Sequence, residues 1–291
     1  MSSIDAVLAF DARLELGESP VWDERTGTLY AVDILGGAIV CCDPGSGATE
    51  AVARLDEPVG SIALRRDGGL VAAGGTAVVL LDEQARATVL AEIPDAEGLR
   101  LNDGVCDARG RLWVGTMALD GSAGRGTLYR YDERGLASMV APVSISNGID
   151  WSTDGTHMYY VDSPSRRVDV FAFDARDGSL ADRRTLVEID DADGSIPDGL
   201  TVDAEDHIWV AFWDGWAIRR YRPDGSLDRI VALPVARPTS CAFGGDDLND
   251  LYVTSARTGL TADALEAQPH AGGVFVLRPG VRGRAPNRFA G

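Results

Sequence analysis

Lysine is absent from this chain of 291 residues, so all 27 basic side chains are arginine. Schiff-base chemistry on a lysine amine is thereby excluded. Histidine is scarce: His157, His207 and His270 stand apart from one another, and no HExxH stretch occurs. His157 and His207 begin second strands, so strand-end or surface positions are expected for these two. The four cysteines, Cys41, Cys42, Cys106 and Cys241, form no CxxC pair. A disulfide framework or zinc knuckle is disfavoured, and buried free thiols are expected. No apolar run reaches the roughly 20 residues of a membrane-spanning helix. The start, Met1-Ser2-Ser3-Ile4-Asp5, lacks the basic and apolar segments of a signal peptide. A cytoplasmic location with no membrane partner is expected. The formal charge of -18 supplies no basic face for nucleic acid; it suits a neutral or cationic ligand, or a metal. Phosphate-loop motifs, a GxGxxG opening a helix and a GxSxG elbow are all missing.

Helical periodicity is also rare. Short β-rich runs alternate with Asp-Gly, Asn-Gly and Pro-Gly turns instead. One sentence recurs six times: a polar or small corner, a short apolar strand, a turn and a second strand. The six begin near Gly17-Glu18-Ser19-Pro20, Val59-Gly60-Ser61, Leu101-Asn102-Asp103-Gly104, Ser146-Asn147-Gly148, Ile196-Pro197-Asp198-Gly199 and Pro238-Thr239-Ser240. Equivalent positions, Val21, Ile62, Val105, Ile149, Leu200 and Cys241, recur about every 40–50 residues, the spacing of four-stranded blades. A β-sandwich would contain similar hairpins, but the regular repeat favours an all-β six-bladed β-propeller, one domain over residues 1–291. The run Ala6 to Phe10 has no partner in the first unit, and Gly273 to Leu277 is one strand short of a full last blade. Pairing the two would close the ring and remove two edges. Insertions at 118–126 and 257–271 break the pattern, the second containing a plausible helical turn at Ala262 to Ala267. Long loops on a rigid scaffold often carry function.

The first strand of each unit should line the channel, with its leading corner open to one end. Those corners carry Glu18, Asn102 with Asp103, Asn147 and Asp198; the second and sixth carry no acid or amide. Asn-Gly and Asp-Gly are ordinary turn dipeptides, and the pairs at Asp67, Asp154 and Asp224 read as hairpin turns. The corner residues differ by their shared repeat position, and Glu18 before Ser-Pro is no turn signature. Oxygen donors converging from separate blades would suit a hard cation. Trp209 reads as blade core, while Trp213 and Trp216 are candidates for the channel mouth.

The runs Gly-Glu-Ser-Pro-Val-Trp, Arg-Leu-Asn-Asp-Gly, Gly-Arg-Leu-Trp-Val-Gly-Thr-Met, Ser-Asn-Gly-Ile-Asp-Trp and Ile-Pro-Asp-Gly-Leu, in this order, resemble the SMP-30/gluconolactonase/regucalcin family from about residue 14 onward. The resemblance implies a six-bladed propeller with one divalent cation in its channel: calcium or zinc first, then manganese, magnesium or iron(II). It implies hydrolysis of a small-molecule sugar lactone. By the same resemblance Glu18, Asn147 and Asp198 are the metal ligands, Arg100 and Asn102 contact substrate, and Asp120 falls where relatives contact sugar hydroxyls. Asp198 is then the candidate general base. A lysine lid contact of some animal members has no counterpart here. Two other readings use the same site: a calcium-binding regulatory protein and a phosphotriesterase.

Overall fold

The structure is a computed structural model that describes residues 5–190 and 194–291; part of the leading segment judged for a signal peptide lies outside the described residues. Six antiparallel sheets, each of four strands, carry the chain around a ring. This is the six-bladed propeller that the repeat implies. The inner strands are Gly17–Asp23, Val59–Leu64, Leu99–Cys106, Ser146–Trp151, Ile196–Val202 and Pro238–Gly244. Polarity rises outward from the axis. Every residue of Val59–Leu64 is buried, whereas the outermost strand Ser179–Glu188 is mostly exposed. The inner strands are mostly buried even where they carry polar corners, and the outer ones Ala48–Arg54, Ala87–Glu92 and Ser179–Glu188 are mostly exposed.

Six clusters of buried side chains hold the ring together, and each joins two neighbouring blades. Blades one and six meet through Phe10, Trp22, Tyr252 and Val274, with Trp22 stacked on Tyr252 at 5.8 Å. Blades three and four meet through Trp113, Trp151 and Tyr160. Trp209 lies in the cluster of blades five and six, as its second-strand position predicts. Closure follows the sequence reading too. Val7–Phe10 pairs antiparallel with Val274–Leu277, Val7 opposite Val276, as the fourth strand of the last blade. The second insertion does form a short helix, Ala262–Ala267, capped by the Thr261 hydroxyl.

Each inner strand slips register against its neighbour just after its first residues. The slips fall between Glu18 and Val21, Val59 and Ser61, Leu101 and Gly104, Ser146 and Ile149, Pro197 and Leu200, and Pro238 and Cys241. Bulges of this kind re-aim side chains, and they coincide with the polar corners of the repeat. Glycine follows the donor in blades four and five because the inner strands crowd at the axis. A Cβ on Gly148 would lie 2.7 Å from the Asp198 carbonyl oxygen, and one on Gly199 would lie 2.6 Å from the Ser240 Cβ.

After the last strand the chain turns back beneath the ring. Residues 282–289 bond to the far ends of the inner strands or the hairpins that follow them, in all six blades. The Gly283 amide donates to Leu248 O, Ala204 N to Arg282 O, and Phe289 N to Leu64 O. Arg284 reaches Trp151 O, Asn287 reaches Cys106 O, and Arg288 reaches Asp23. This strap was not legible in the sequence, because it has no repeat partner.

Candidate metal and substrate site

The bulges place Glu18, Asn147 and Asp198 around one end of the channel, on blades one, four and five. All three are buried, with 5–7% of their surface exposed. Arg100 and Asn102, on blade three, join them on the lining of the same cavity of about 270 Å³. A run of hydrogen bonds fixes the amides. Arg100 Nη1 donates to Asn102 Oδ1 at 2.6 Å. Asn102 Nδ2 donates to Asn147 Oδ1 at 3.0 Å and to Ser146 O at 2.8 Å. Asn147 Nδ2 donates to Ser163 Oγ at 2.8 Å. The Asn147 carbonyl oxygen is thereby held among the inner strands with acceptor capacity to spare, since a carbonyl oxygen takes two partners.

The electrostatics are those of a site built for a positive charge. Burial pushes the Glu18 carboxyl well above the usual range, and the charges of Asp198 and Asp103 push it further; the Ser19 amide and Arg100 oppose this. Burial, then Asp103, raises Asp198 likewise, against Arg100. Burial lowers the Arg100 guanidinium to about 10, while Glu18 and Asp198 support its charge. Two carboxylates that burial and mutual repulsion disfavour, set beside an amide oxygen, form a hard oxygen donor set. The described residues hold no cluster of three or more histidine, cysteine or carboxylate side chains ready for a cation. The donor set here is two carboxylates and an amide, and its chemistry fits a divalent cation.

The cavity walls above this floor are apolar: Leu16, Ile34, Met117, Ile145, Ile196 and Trp213. Trp213 thus lines the mouth, with the Arg237 guanidinium 4.6 Å from its ring centre. Trp216 is 47% exposed and is not part of the wall. Asp120 is not brought to the cavity. It is exposed, three residues beyond Met117, and accepts the Ser122 amide at 2.9 Å within its own turn.

Asp103 parts from Asn102. The bulge turns it to a second cavity of about 180 Å³ farther along the channel, closed by Arg284 to Asn287 of the strap. There burial raises its carboxyl to about 6, opposed by the Gly104 amide. Ser163 was also unforeseen; it lies in a 3-10 turn, Ser163–Ser165, that no corner motif marks.

His157 is exposed and bonded to Thr156, and His207 contacts Glu205 O. Asp154 and Asp224 cap their hairpins. All four thiols are free, with Cys41 the least buried.

Comparisons with known proteins agree with the motifs and the fold. A family model described as the SMP-30/Gluconolactonase/LRE-like region matches residues 16–257. Regucalcin of Xenopus laevis is 39% identical, the match covering 100% of both chains. The solved structure of a calcium-binding protein, regucalcin, from Agrobacterium tumefaciens superposes with a TM-score of 0.94 at 30% identity, covering 99% of each chain. That of a luciferin-regenerating enzyme superposes with a TM-score of 0.92 at 29% identity, covering 99% of this chain and 100% of the other. By this family model, these identities and these superpositions, the chain belongs to the SMP-30/gluconolactonase/regucalcin family.

Proposed function

We propose that this protein is a divalent-cation-dependent hydrolase that opens sugar-acid lactones, of the gluconolactone or pentonolactone type, to aldonic acids in the cytoplasm. One observation carries this reading: Glu18 and Asp198, buried and mutually disfavoured, share the floor of an apolar-walled cavity with Asn147. These three residues would hold the cation, calcium or zinc first and manganese, magnesium or iron(II) next. A bound cation of this kind polarises a carbonyl and lowers the pKa of water.

The chain's own groups do the rest. The Asp198 carboxylate takes the proton of the attacking water as general base. Arg100 and Asn102 orient ring hydroxyls and face the oxyanion that develops at the carbonyl. The six apolar wall residues pack the carbon face of the ring and keep bulk water out. Asp120 would reach a sugar hydroxyl only by leaving its turn, so we assign it a secondary contact. Arg100 favours an enzyme over a calcium-binding regulator. A guanidinium beside the two carboxylates weakens their hold on a cation by like-charge repulsion, and a pure cation binder has no use for it.

The test strips the protein with chelator, reloads single divalent ions and follows acid release from a lactone panel, with a phosphotriester in parallel. Activity should vanish on stripping and return with the ion. Asp198→Ala should lose about 10²–10⁴-fold or more in kcat. A phosphotriester rate with no ion-dependent lactone rate would contradict the lactonase reading.

A further inference from the structure

One residue of the strap beneath the ring, Arg284, reaches the inner strands of Asn147 and Asp198 together. Asp150 lies three residues beyond Asn147 on the inner strand of blade four. Its Oδ2 accepts the Val202 amide at 2.7 Å and the Thr201 hydroxyl at 3.3 Å, both on the inner strand of blade five that carries Asp198. Its Oδ1 accepts Arg284 Nη2 at 3.0 Å. The same Nη2 donates to Trp151 O at 2.8 Å, and Arg284 Nε donates to Val202 O at 3.3 Å. One guanidinium thus ties the backbones of the two inner strands together, at the end opposite their donors.

Other inner-strand pairs are stitched without the strap. Ser19 Oγ meets the Ile62 amide at 3.0 Å between blades one and two, and Asn102 meets Ser146 O between three and four. Thr239 Oγ1 donates to Gly17 O between six and one. Between blades four and five the tie is Asp150, and Arg284 completes it. Strands rise about 3.3 Å per residue, so the clamp sits about 10 Å below Asn147 and Asp198, within the same stiff, bulged segments.

We propose that Arg284 is a positioning residue for the cation site: from the far end of the channel it fixes the spacing between the Asn147 and Asp198 oxygens. This rests on the reading of those residues as ligands. Arg284 touches neither ligand and acts through Asp150 and the strand backbones. The strap holds it from both sides, through Gly283 to Leu248 and through Asn287 to Cys106. Arg288 also meets a strand that carries a proposed ligand, at Asp23 of Gly17–Asp23, but it does so through side chains of blade one alone, whereas Arg284 bonds the backbones of two inner strands.

Arg288→Ala is therefore the control. Chelator-stripped wild type, Arg284→Ala, Arg284→Lys and Arg288→Ala are titrated with Mn²⁺ by calorimetry, and the spectra of the bound ion are compared by electron paramagnetic resonance. Melting temperatures are measured without metal. Arg284→Ala should bind Mn²⁺ about tenfold more weakly with a broadened spectrum, and Arg284→Lys should recover part of the affinity. Arg288→Ala should lower the melting temperature while leaving affinity and spectrum as in wild type. Equal affinity for wild type and Arg284→Ala, or an equal loss in Arg284→Ala and Arg288→Ala, would overturn the proposal and leave the ligand assignment standing. Wild type that binds no divalent ion would overturn both.

Discussion

Glu18 and Asp198 sit in a chain with many carboxylates, yet few others are driven the same way. Surface aspartates such as Asp154 and Asp174 are held at about 2 by hydrogen bonds within their turns. Their stabilisation is complete above the ordinary carboxylate value near 4 and is lost only as pH falls through about 2. Asp103, raised to about 6 by burial, works in the opposite sense, as do Glu18 and Asp198. A raised carboxyl binds its proton more tightly folded than unfolded, so its contribution is complete below about 4 and is lost as pH rises through the folded value. The metal-free protein should therefore begin to lose melting temperature above about pH 4, through about pH 6 as Asp103 ionises, and further as Glu18 and Asp198 follow. Saturating cation should remove most of that loss, because binding to the folded state alone stabilises it. Asp103→Asn should flatten the metal-free slope in part. Scanning fluorimetry with and without chelator reads all three, and parallel slopes with and without cation would contradict this electrostatic picture.

At the scale of the strand, the corners were legible in the sequence because the repeat marks them, and Glu18, Asn147 and Asp198 converge as their shared position implies. What a corner does with two adjacent polar residues was not legible. Asn102 and Asp103 are neighbours, but the bulge between Leu101 and Gly104 sends them to different cavities. Periodicity gives the face of a regular strand and fails where the register slips. Trp213 and Trp216 part for a similar reason, since the residues between them form a turn and Trp216 has a left-handed backbone. The bulges also make a steric prediction. Alanine at Gly148 brings a Cβ to 2.7 Å from the Asp198 carbonyl oxygen and 2.9 Å from the Leu200 amide nitrogen, both backbone atoms with little freedom to yield. Gly148→Ala should cost about 1–3 kcal/mol of stability. It should also weaken cation binding, because the displaced strand carries Asn147, a proposed ligand; thermal melts and calorimetric titration check the two effects.

The ring as a whole is closed twice. One closure, the strand Val7–Phe10 on Val274–Leu277, was legible as an unpartnered run at the start of the chain and a last blade one strand short. The other, the strap of residues 282–289, was not, since it forms no strand and its bonds are scattered over six separate blades. Removing residues 2–12 strips Phe10 from the cluster that joins blades six and one and bares an edge strand. The melting temperature should fall by on the order of 10 °C, and an unchanged melt would contradict closure by this strand. The central proposal is that the ring brings oxygen donors from blades one, four and five, which line one cavity, onto a single cation. Calorimetric titration of the chelator-stripped protein with Ca²⁺ and with Mn²⁺, for wild type, Glu18→Gln, Asn147→Ala and Asp198→Asn, tests that most directly. One cation per chain for wild type, weakened by each substitution and lost in Asp198→Asn, is the expected result; wild-type affinity in all three variants would contradict it.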